Sequence, residues 1–573
     1  MRSSSSIKWR LRLVAGGITL FALIIAGNLY KTQIFSHEAY VLKADRQYAS
    51  TEGDIFDRGY IYFQSKSGDL VSAAGIKEGN LIVMVPSLIK NPESVYNSLS
   101  KIIPLNHEDF LNKAKKTGSQ YAELAKHVEI EVGDKIQALN FAGIRVQKER
   151  WRFYPGNELA AHVIGYYGFG KDSILEGQYG LERFYEPVLT RKDDASPGNF
   201  LTDLFTNIKK TVVEGEEMTG DVVSSVEPTV EHELEDTLMK VKSQWSSDLV
   251  GGIIMDPKTG EIYAMSALPS YNPNSYGSAS NTRAYTNPLV QDRYEMGSIM
   301  KPLTMAAGLD SGVITPNSTY DDKGFITLNG KTIKNYDGKG RGNKTPMQKI
   351  LSESLNTGAS YIALLMGKDR FPVYMNNYGL GVETGIDQPY EIKGDLRNLK
   401  SGRDVELATA SFGQGIAVTP MEMTRALATL ANGGMLITPH LADKINYRIG
   451  TNKTVAGGSG VRVLKKETTD AVTKMLITVV DLALKKGAVK MDRWSVAAKT
   501  GTAQIADSST SKYYSDRYLH SFFGYFPASN PRFIIFLYQV YPKGATYASE
   551  TLTDPFMRLT KFLISYYEIA PDR

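Results

Sequence analysis

The chain contains no cysteine among its 573 residues. That excludes a thiol nucleophile, disulfide bonds and cysteine-ligated metal, and it leaves the compartment open, because an exported protein need not carry disulfides. Histidine is scarce. His37, His107, His127, His162, His232, His440 and His520 are scattered without His-Glu-x-x-His or other ligand spacing, so no metal and no cofactor is assigned. His520 reads as structural. The net charge of +5 is small for this length and there is no basic tract, which argues against nucleic acid as a partner. The glycine-rich run Gly338–Thr345 does not fit a P-loop and reads as a surface turn. Internal repeats and low-complexity tails are lacking as well. With 42% hydrophobic and 22% charged residues, the chain has the composition of a folded protein, and its length implies two or three domains.

One long apolar run is present. Arg2, Lys8, Arg10 and Arg12 precede Leu13–Tyr30, which carries no charge and is just long enough to cross a bilayer. The positive flank predicts a cytoplasmic tail (1–12), a transmembrane anchor (13–30) and an exported remainder. A cleaved signal peptide is the competing reading, opposed by the length of the run and the lack of a small-x-small cleavage site. Lys31–Ser50 is polar and suits a stalk.

Residues 51–225 read as mixed strands and helices, including a helical stretch around His107–Lys126, and with the stalk they form the expected second region, 31–225. Glu227–Trp245 has helical periodicity, with Val230, Leu234, Leu238 and Val241 on one face, and opens the expected catalytic domain, 226–573. Leu249–Met255 and Glu261–Ala267 predict a hairpin around Lys258-Thr-Gly260. Helices are expected over Lys301–Leu309, Pro346–Met366 and Pro420–Asn432. Strands follow over Trp494–Thr502, Ser521–Phe526 and Arg532–Val540, with a terminal helix over Pro555–Tyr567. Strands, then helices, then strands give an α+β domain with its site between an antiparallel sheet and a helical lobe.

Three short motifs carry chemistry: Ser298-Ile-Met-Lys301, Ser354-Leu-Asn356 and Lys499-Thr-Gly-Thr-Ala503. None is decisive alone. Ser-x-x-Lys also occurs at Ser5–Lys8 and Ser509–Lys512, and Lys-Thr-Gly at Lys116–Gly118 and Lys258–Gly260. Taken alone, Ser298 is a helix N-cap, Ser354 and Asn356 a cap and a turn, and Lys499-Thr-Gly a hairpin end. Their order and spacing together describe an acyl-transfer site. A serine hydroxyl needs an adjacent base to become a nucleophile. With Ser298 opening a helix, Lys301 lies one turn on, on the same face. It acts as a base only when neutral, so burial and a neighbouring cation, Lys499, must lower its pKa. Ser354 passes the proton on, and Asn356 offers a donor and an acceptor to an amide. Thr500 and Thr502, with the Lys499 ammonium, suit a carboxylate. Gly501 is expected to admit a substrate backbone closely. The amides of Ser298 and Thr502 form the expected oxyanion hole.

At these residues the chain resembles the class B penicillin-binding proteins, the monofunctional D,D-transpeptidases of peptidoglycan synthesis. The resemblance extends to Asp256–Met265, Tyr271-Asn-Pro-Asn274, Tyr378–Asp387, Gly413–Met423, Asn432-Gly-Gly434 and His520–Pro527. Upstream it takes in Gly53–Gly59, Arg152-Phe-Tyr-Pro155, Ala161–Gly165 and Gly180-Leu-Glu182 of the family's non-catalytic pedestal. Departures stand at Glu52 (usually arginine), at Met296 (usually proline) and at Ala548–Phe556, which replaces a Gly-Gly and Ala-Ala-Pro pattern. Nothing resembles the glycosyltransferase domain of the bifunctional enzymes.

The resemblance implies a membrane anchor, a mixed pedestal of dimerisation type and a serine β-lactamase-like transpeptidase domain outside the cytoplasmic membrane. It implies stem peptides and lipid-linked nascent glycan as substrates, β-lactams as acylating ligands, and a SEDS-family glycosyltransferase with other cell-wall proteins as partners. A septal role is favoured over elongation by the compact pedestal and the Ser-Leu-Asn motif. Two other classes stand beside this: a β-lactam-hydrolysing or sensing protein, and a non-catalytic scaffold of the cell-wall machinery.

Overall fold

A computed structural model describes residues 57–170, 174–191, 218–278, 282–448, 450–455, 457–507, 510 and 512–573. The expected anchor and stalk lie outside these residues. Among the described residues no helix is long and apolar enough to cross a membrane.

Two compact units emerge. The smaller is built from Ile76–Trp151. The later part of strand Leu70–Met84 pairs antiparallel with Ala122–Val128, with Asn80 opposite Val128 and Met84 opposite Ala122. Helices Pro92–Leu99, His107–Ala114 and Ile130–Ala138 supply the rest. The first two are capped by the side chains of Asn91 and Asn106, which accept from the amides of Ser94 and Asp109. Ile82, Met84, Leu99, Phe110 and Ile136 form the core. The helix expected as far as Lys126 stops at Ala114, because Lys116-Thr-Gly118 turns the chain and Ala122–Val128 is a strand.

The larger unit comprises Arg58–Gly75 and Arg152–Arg573. The expected boundary at 225/226 falls within this unit. Strand Gly220–Ser224 pairs in parallel with Ile61–Gln64 and antiparallel with Ala442–Tyr447, so one sheet draws on segments from either side of that boundary. Three of the upstream motifs meet in one buried cluster. Arg58 Nε lies 2.8 Å from Glu182 Oε2, Arg58 Nη2 2.7 Å from Glu186 Oε2, and Arg152 Nε 2.5 Å from Glu182 Oε1. The two cations hold the Glu182 carboxyl below its ordinary range against the opposing effect of burial.

Helix α1 (Pro228–Trp245) begins where the Glu227 carboxylate accepts from the Val230 amide, and it buries Val230, Leu234, Leu238 and Val241 as its periodicity predicts. Strands β1 (Leu249–Met255) and β2 (Ile262–Leu268) form the expected hairpin, whose turn is made by Asp256–Gly260. Helices α2 (Lys301–Asp310), α3 (Asn356–Asn377) and α4 (Pro420–Ala431) belong to the helical lobe. The single helix expected over Pro346–Met366 is broken: Met347–Ser352 ends before Ser354, whose backbone is left-handed (φ 54°). Strands β3 (Ala497–Asp507), β4 (Lys512–Phe526) and β5 (Phe533–Val540) complete an antiparallel sheet in the order β3-β4-β5-β1-β2. Helix α5 (Thr553–Tyr566) closes the chain. Leu234, Leu238, Ile254, Phe522, Phe526, Phe556 and Leu563 pack α1 and α5 against one face of the sheet. Ile253, Phe523, Tyr525, Phe536, Leu303 and Met423 pack the other face against the helical lobe. The sheet is thus buried on both faces, and β3 is left as its open edge.

Candidate active site

Ser298 lies on the 3-10 turn Gly297–Met300, immediately before α2. The turn is held on two sides: the Gly297 amide donates to Gly413 O (3.1 Å), and the Ser521 hydroxyl of β4 donates to Met296 O (2.9 Å). Gly297 has φ 63°, and a Cβ there would lie 2.6 Å from Thr502 O; one on Gly413 would lie 2.3 Å from Gly297 O. Glycine is required at both because backbone meets backbone. The Thr502 carbonyl therefore faces the turn that carries Ser298. In an antiparallel strand the N–H and C=O of one residue share a side, so the Thr502 amide also looks out from the open edge beside Ser298.

Lys301, at the start of α2, is 1% exposed. Its ammonium contacts Ser298 Oγ (2.9 Å), Ser354 O (2.6 Å) and Ser354 Oγ (3.1 Å). The left-handed backbone of Ser354 turns both its carbonyl and its hydroxyl onto this lysine. From the opposite side Lys499 Nζ donates to Ser354 Oγ (3.2 Å) and to Thr500 O (2.9 Å). One serine hydroxyl thus bridges two buried lysines. Burial, then the charge of Lys499, holds the Lys301 pKa well below the usual lysine value, and burial lowers Lys499 to about 8.

Asn356 is the first residue of α3, and its Nδ2 donates to Lys334 O (2.9 Å). Thr502 Oγ1 accepts from the Ala548 amide (3.0 Å), which leaves its hydroxyl hydrogen free to donate. Ser298, Ser354, Asn356, Lys499, Thr500 and Thr502 line one cleft of about 600 Å³. Gly501 does not. Strand alternation turns it to the interior, where a Cβ would lie 2.4 Å from Ser521 Oγ and 2.8 Å from Met296 O. The turn that carries Ser298 requires this glycine.

The chain from the first β-strand of this sheet to the last helix matches a family model, "Penicillin binding protein transpeptidase domain", over residues 250–559. The chain belongs to that family. A second model, "Penicillin-binding Protein dimerisation domain", matches residues 57–223. Stage V sporulation protein D of Bacillus subtilis is 28% identical, over 86% of this chain and 77% of its own. Peptidoglycan D,D-transpeptidase FtsI of Buchnera aphidicola is 27% identical, over 99% and 96%. Among solved structures, penicillin-binding protein 3 of Mycobacterium tuberculosis, complexed with aztreonam, superposes with a TM-score of 0.68 at 20% identity, covering 91% of this chain and 98% of that one. That likeness is one of fold.

The other Lys-Thr-Gly sequences are turns. Lys258 reaches out to Asn530 Oδ1 (2.5 Å), and Gly260 packs on Thr438. His520, paired opposite Thr502 across β3 and β4, donates from Nε2 to Thr546 O (3.0 Å) and accepts at Nδ1 from Thr551 Oγ1 (2.9 Å). Burial lowers its pKa to about 4, so it stays neutral under the site. Sequence reasoning missed Tyr336, Phe412, Gln414 and Tyr547 of the cleft wall. They come from loops without periodicity, and no spacing rule points to them. Glu295 was also missed. It accepts from the Gly415 amide (2.9 Å) and from the Tyr513 hydroxyl (3.0 and 2.9 Å), tying the loop that cradles Gly297 to β4.

Proposed function

We propose that the chain is a peptidoglycan D,D-transpeptidase that cross-links stem peptides through an acyl-enzyme on Ser298. The observation that carries this is the chain of contacts from Ser298 through Lys301 and Ser354 to Lys499. Neutral Lys301 keeps two N–H donors for the Ser354 oxygens and turns its lone pair to the Ser298 hydroxyl, which then donates its proton as Oγ attacks the D-alanyl carbonyl. The oxyanion is received by the Ser298 and Thr502 amides. The proton returns through Ser354 to the leaving D-alanine, whose carboxylate rests on Lys499, Thr500 and Thr502. An amine of a second stem then resolves the ester by the reverse route. Asn356 holds the side-chain amide of the donor. Penicillins, amides of the same shape, acylate the same serine.

The N-terminal run 13–30 is read as an anchor that keeps this site outside the membrane, with a SEDS-family glycosyltransferase supplying the glycan. We assign the septal rather than the elongation pathway; depletion of the protein should give filaments, whereas round cells would place it in elongation. The activity is tested with a synthetic stem pentapeptide ending in D-Ala-D-Ala and an amine acceptor. Release of D-alanine with formation of the cross-linked product, lost in Ser298→Ala, is the expected result. Full complementation of a deletion by Ser298→Ala would instead establish a scaffold.

A further inference from the structure

Helix α3 carries Asn356 as its first residue, yet it has no local side-chain cap. Its N-cap position is Leu355, fully buried and apolar. The Ser354 hydroxyl before it is committed to Lys301 and Lys499. First-turn amides need acceptors, and here one comes from elsewhere in the chain. The Thr357 amide donates to Asn335 Oδ1 (3.1 Å). Asn335 is in turn held by Asp322, its Nδ2 lying 3.1 Å from both carboxylate oxygens. Asp322 is 1% exposed. It also accepts from the amides of Gly324 (2.9 Å) and Arg341 (3.1 Å) and from the Thr357 hydroxyl (2.8 Å). That hydroxyl lies 3.0 Å from Asn335 Oδ1 as well, but its one hydrogen goes to the carboxylate, the shorter and charge-assisted contact.

The residue beside Asn335 completes the connection. The Lys334 carbonyl accepts from Asn356 Nδ2. A carbonyl can only accept, so the NH2 end of Asn356 is fixed there and Oδ1 is the end left for a donor on the substrate. Lys334 and Asn335 thus set the orientation of the Asn356 amide and the first turn of α3 together, and Asp322 fixes both by collecting donors from three separate segments. A buried carboxylate surrounded by N–H and O–H donors holds that arrangement more rigidly than a neutral group, because any displacement leaves donors unmatched.

We propose that Asp322, with Asn335 and Thr357, is the positioning network of the second motif, aiming the Ser354 hydroxyl and the Asn356 amide at the acyl donor. This rests on the acyl-transfer reading above. It assigns a task to three residues outside every motif that marks the site, and it predicts an effect on the rate of acylation beyond any effect on stability.

The test uses the full-length chain and benzylpenicillin, with acylation followed by intact-mass spectrometry over a range of drug concentrations and Tm measured alongside. Asp322→Asn and the near-isosteric Thr357→Val should lower the limiting acylation rate by roughly ten- to a hundredfold, as small misplacements of reacting groups do, in protein still folded at the assay temperature. Thr357→Ser, which keeps the hydroxyl, should restore most of the rate. If Asp322→Asn fails to fold, the Thr357 pair decides. Equal rates for Thr357→Val and Thr357→Ser overturn the proposal, as does an Asp322→Asn variant that acylates like the wild type. A wild-type chain that is not acylated at all overturns the acyl-transfer reading and this one with it.

Discussion

Lys301 and Lys499 approach a single hydroxyl, that of Ser354, from two sides, and their titrations are linked. In the proposed mechanism acylation requires neutral Lys301 and, for carboxylate binding, protonated Lys499. The rate is therefore expected to rise with pH through the depressed Lys301 pKa and to fall again through about 8, where Lys499 loses its proton. Lys499→Met removes the cation that helps depress Lys301, so its residual ascending limb should move to higher pH; an unmoved limb in the pH–rate profile would show that burial alone sets it. The same substitution bears on stability. Because the folded pKa of Lys499 lies below its unfolded value of 10.5, the unfolded chain binds the extra proton between the two, and stability rises with pH across that window. Below about 8 the full cost of the buried ammonium is present, roughly 3 kcal/mol. Lys499→Met should accordingly raise Tm at pH 7 while sharply lowering the acylation rate. A lower Tm would mean that its hydrogen bonds to Thr500 and Ser354 outweigh the burial cost.

At the scale of elements, the site depends on the close approach of an edge strand to a tight turn. Gly501 of β3, Gly297 of the turn and Gly413 of the adjoining loop each stand where a side chain would collide with backbone. Gly501→Ala is expected to push the Ser298 turn away from β3 and lower the acylation rate roughly tenfold or more. Adding Ser521→Ala, which removes the nearest clashing atom, should recover part of that loss; no recovery would mean that the clash with Met296 O dominates. The family's Lys-Thr-Gly pattern was legible in the sequence, but the reason for its glycine was not, because the clash arises between β3 and a segment more than a hundred residues earlier. Periodicity worked where one face of an element is buried, as in Pro228–Trp245. Continuous apolar runs marked the strands of the main sheet, which is buried on both faces, though β3 and β4 run beyond the expected Thr502 and Ser521 to Asp507 and Lys512. Periodicity overran at Lys115–Lys126, where a polar stretch gave no stop signal beyond one glycine. Asp322, Asn335 and Thr357 left no local trace at all, since their partnership exists only after three segments have folded together.

For the larger unit as a whole, the Arg58–Glu182–Arg152 cluster is the place where upstream motifs far apart in sequence are fastened. Those motifs were recognisable one by one; their convergence on a single carboxylate was not. Glu182→Ala leaves two buried guanidinium groups without their shared partner, which costs about 3–5 kcal/mol for a broken buried ion pair. It should lower the denaturant midpoint of the unit while leaving the acylation rate of the folded protein unchanged. A rate that fell with stability intact would show that the cluster reaches the catalytic cleft. The most direct measurement remains intact-mass spectrometry of the full-length chain incubated with benzylpenicillin, beside Ser298→Ala. A stable adduct of one penicillin, mapped to Ser298 and absent from the variant, is the predicted result; no adduct on folded wild-type protein would contradict an acyl-transfer site at Ser298.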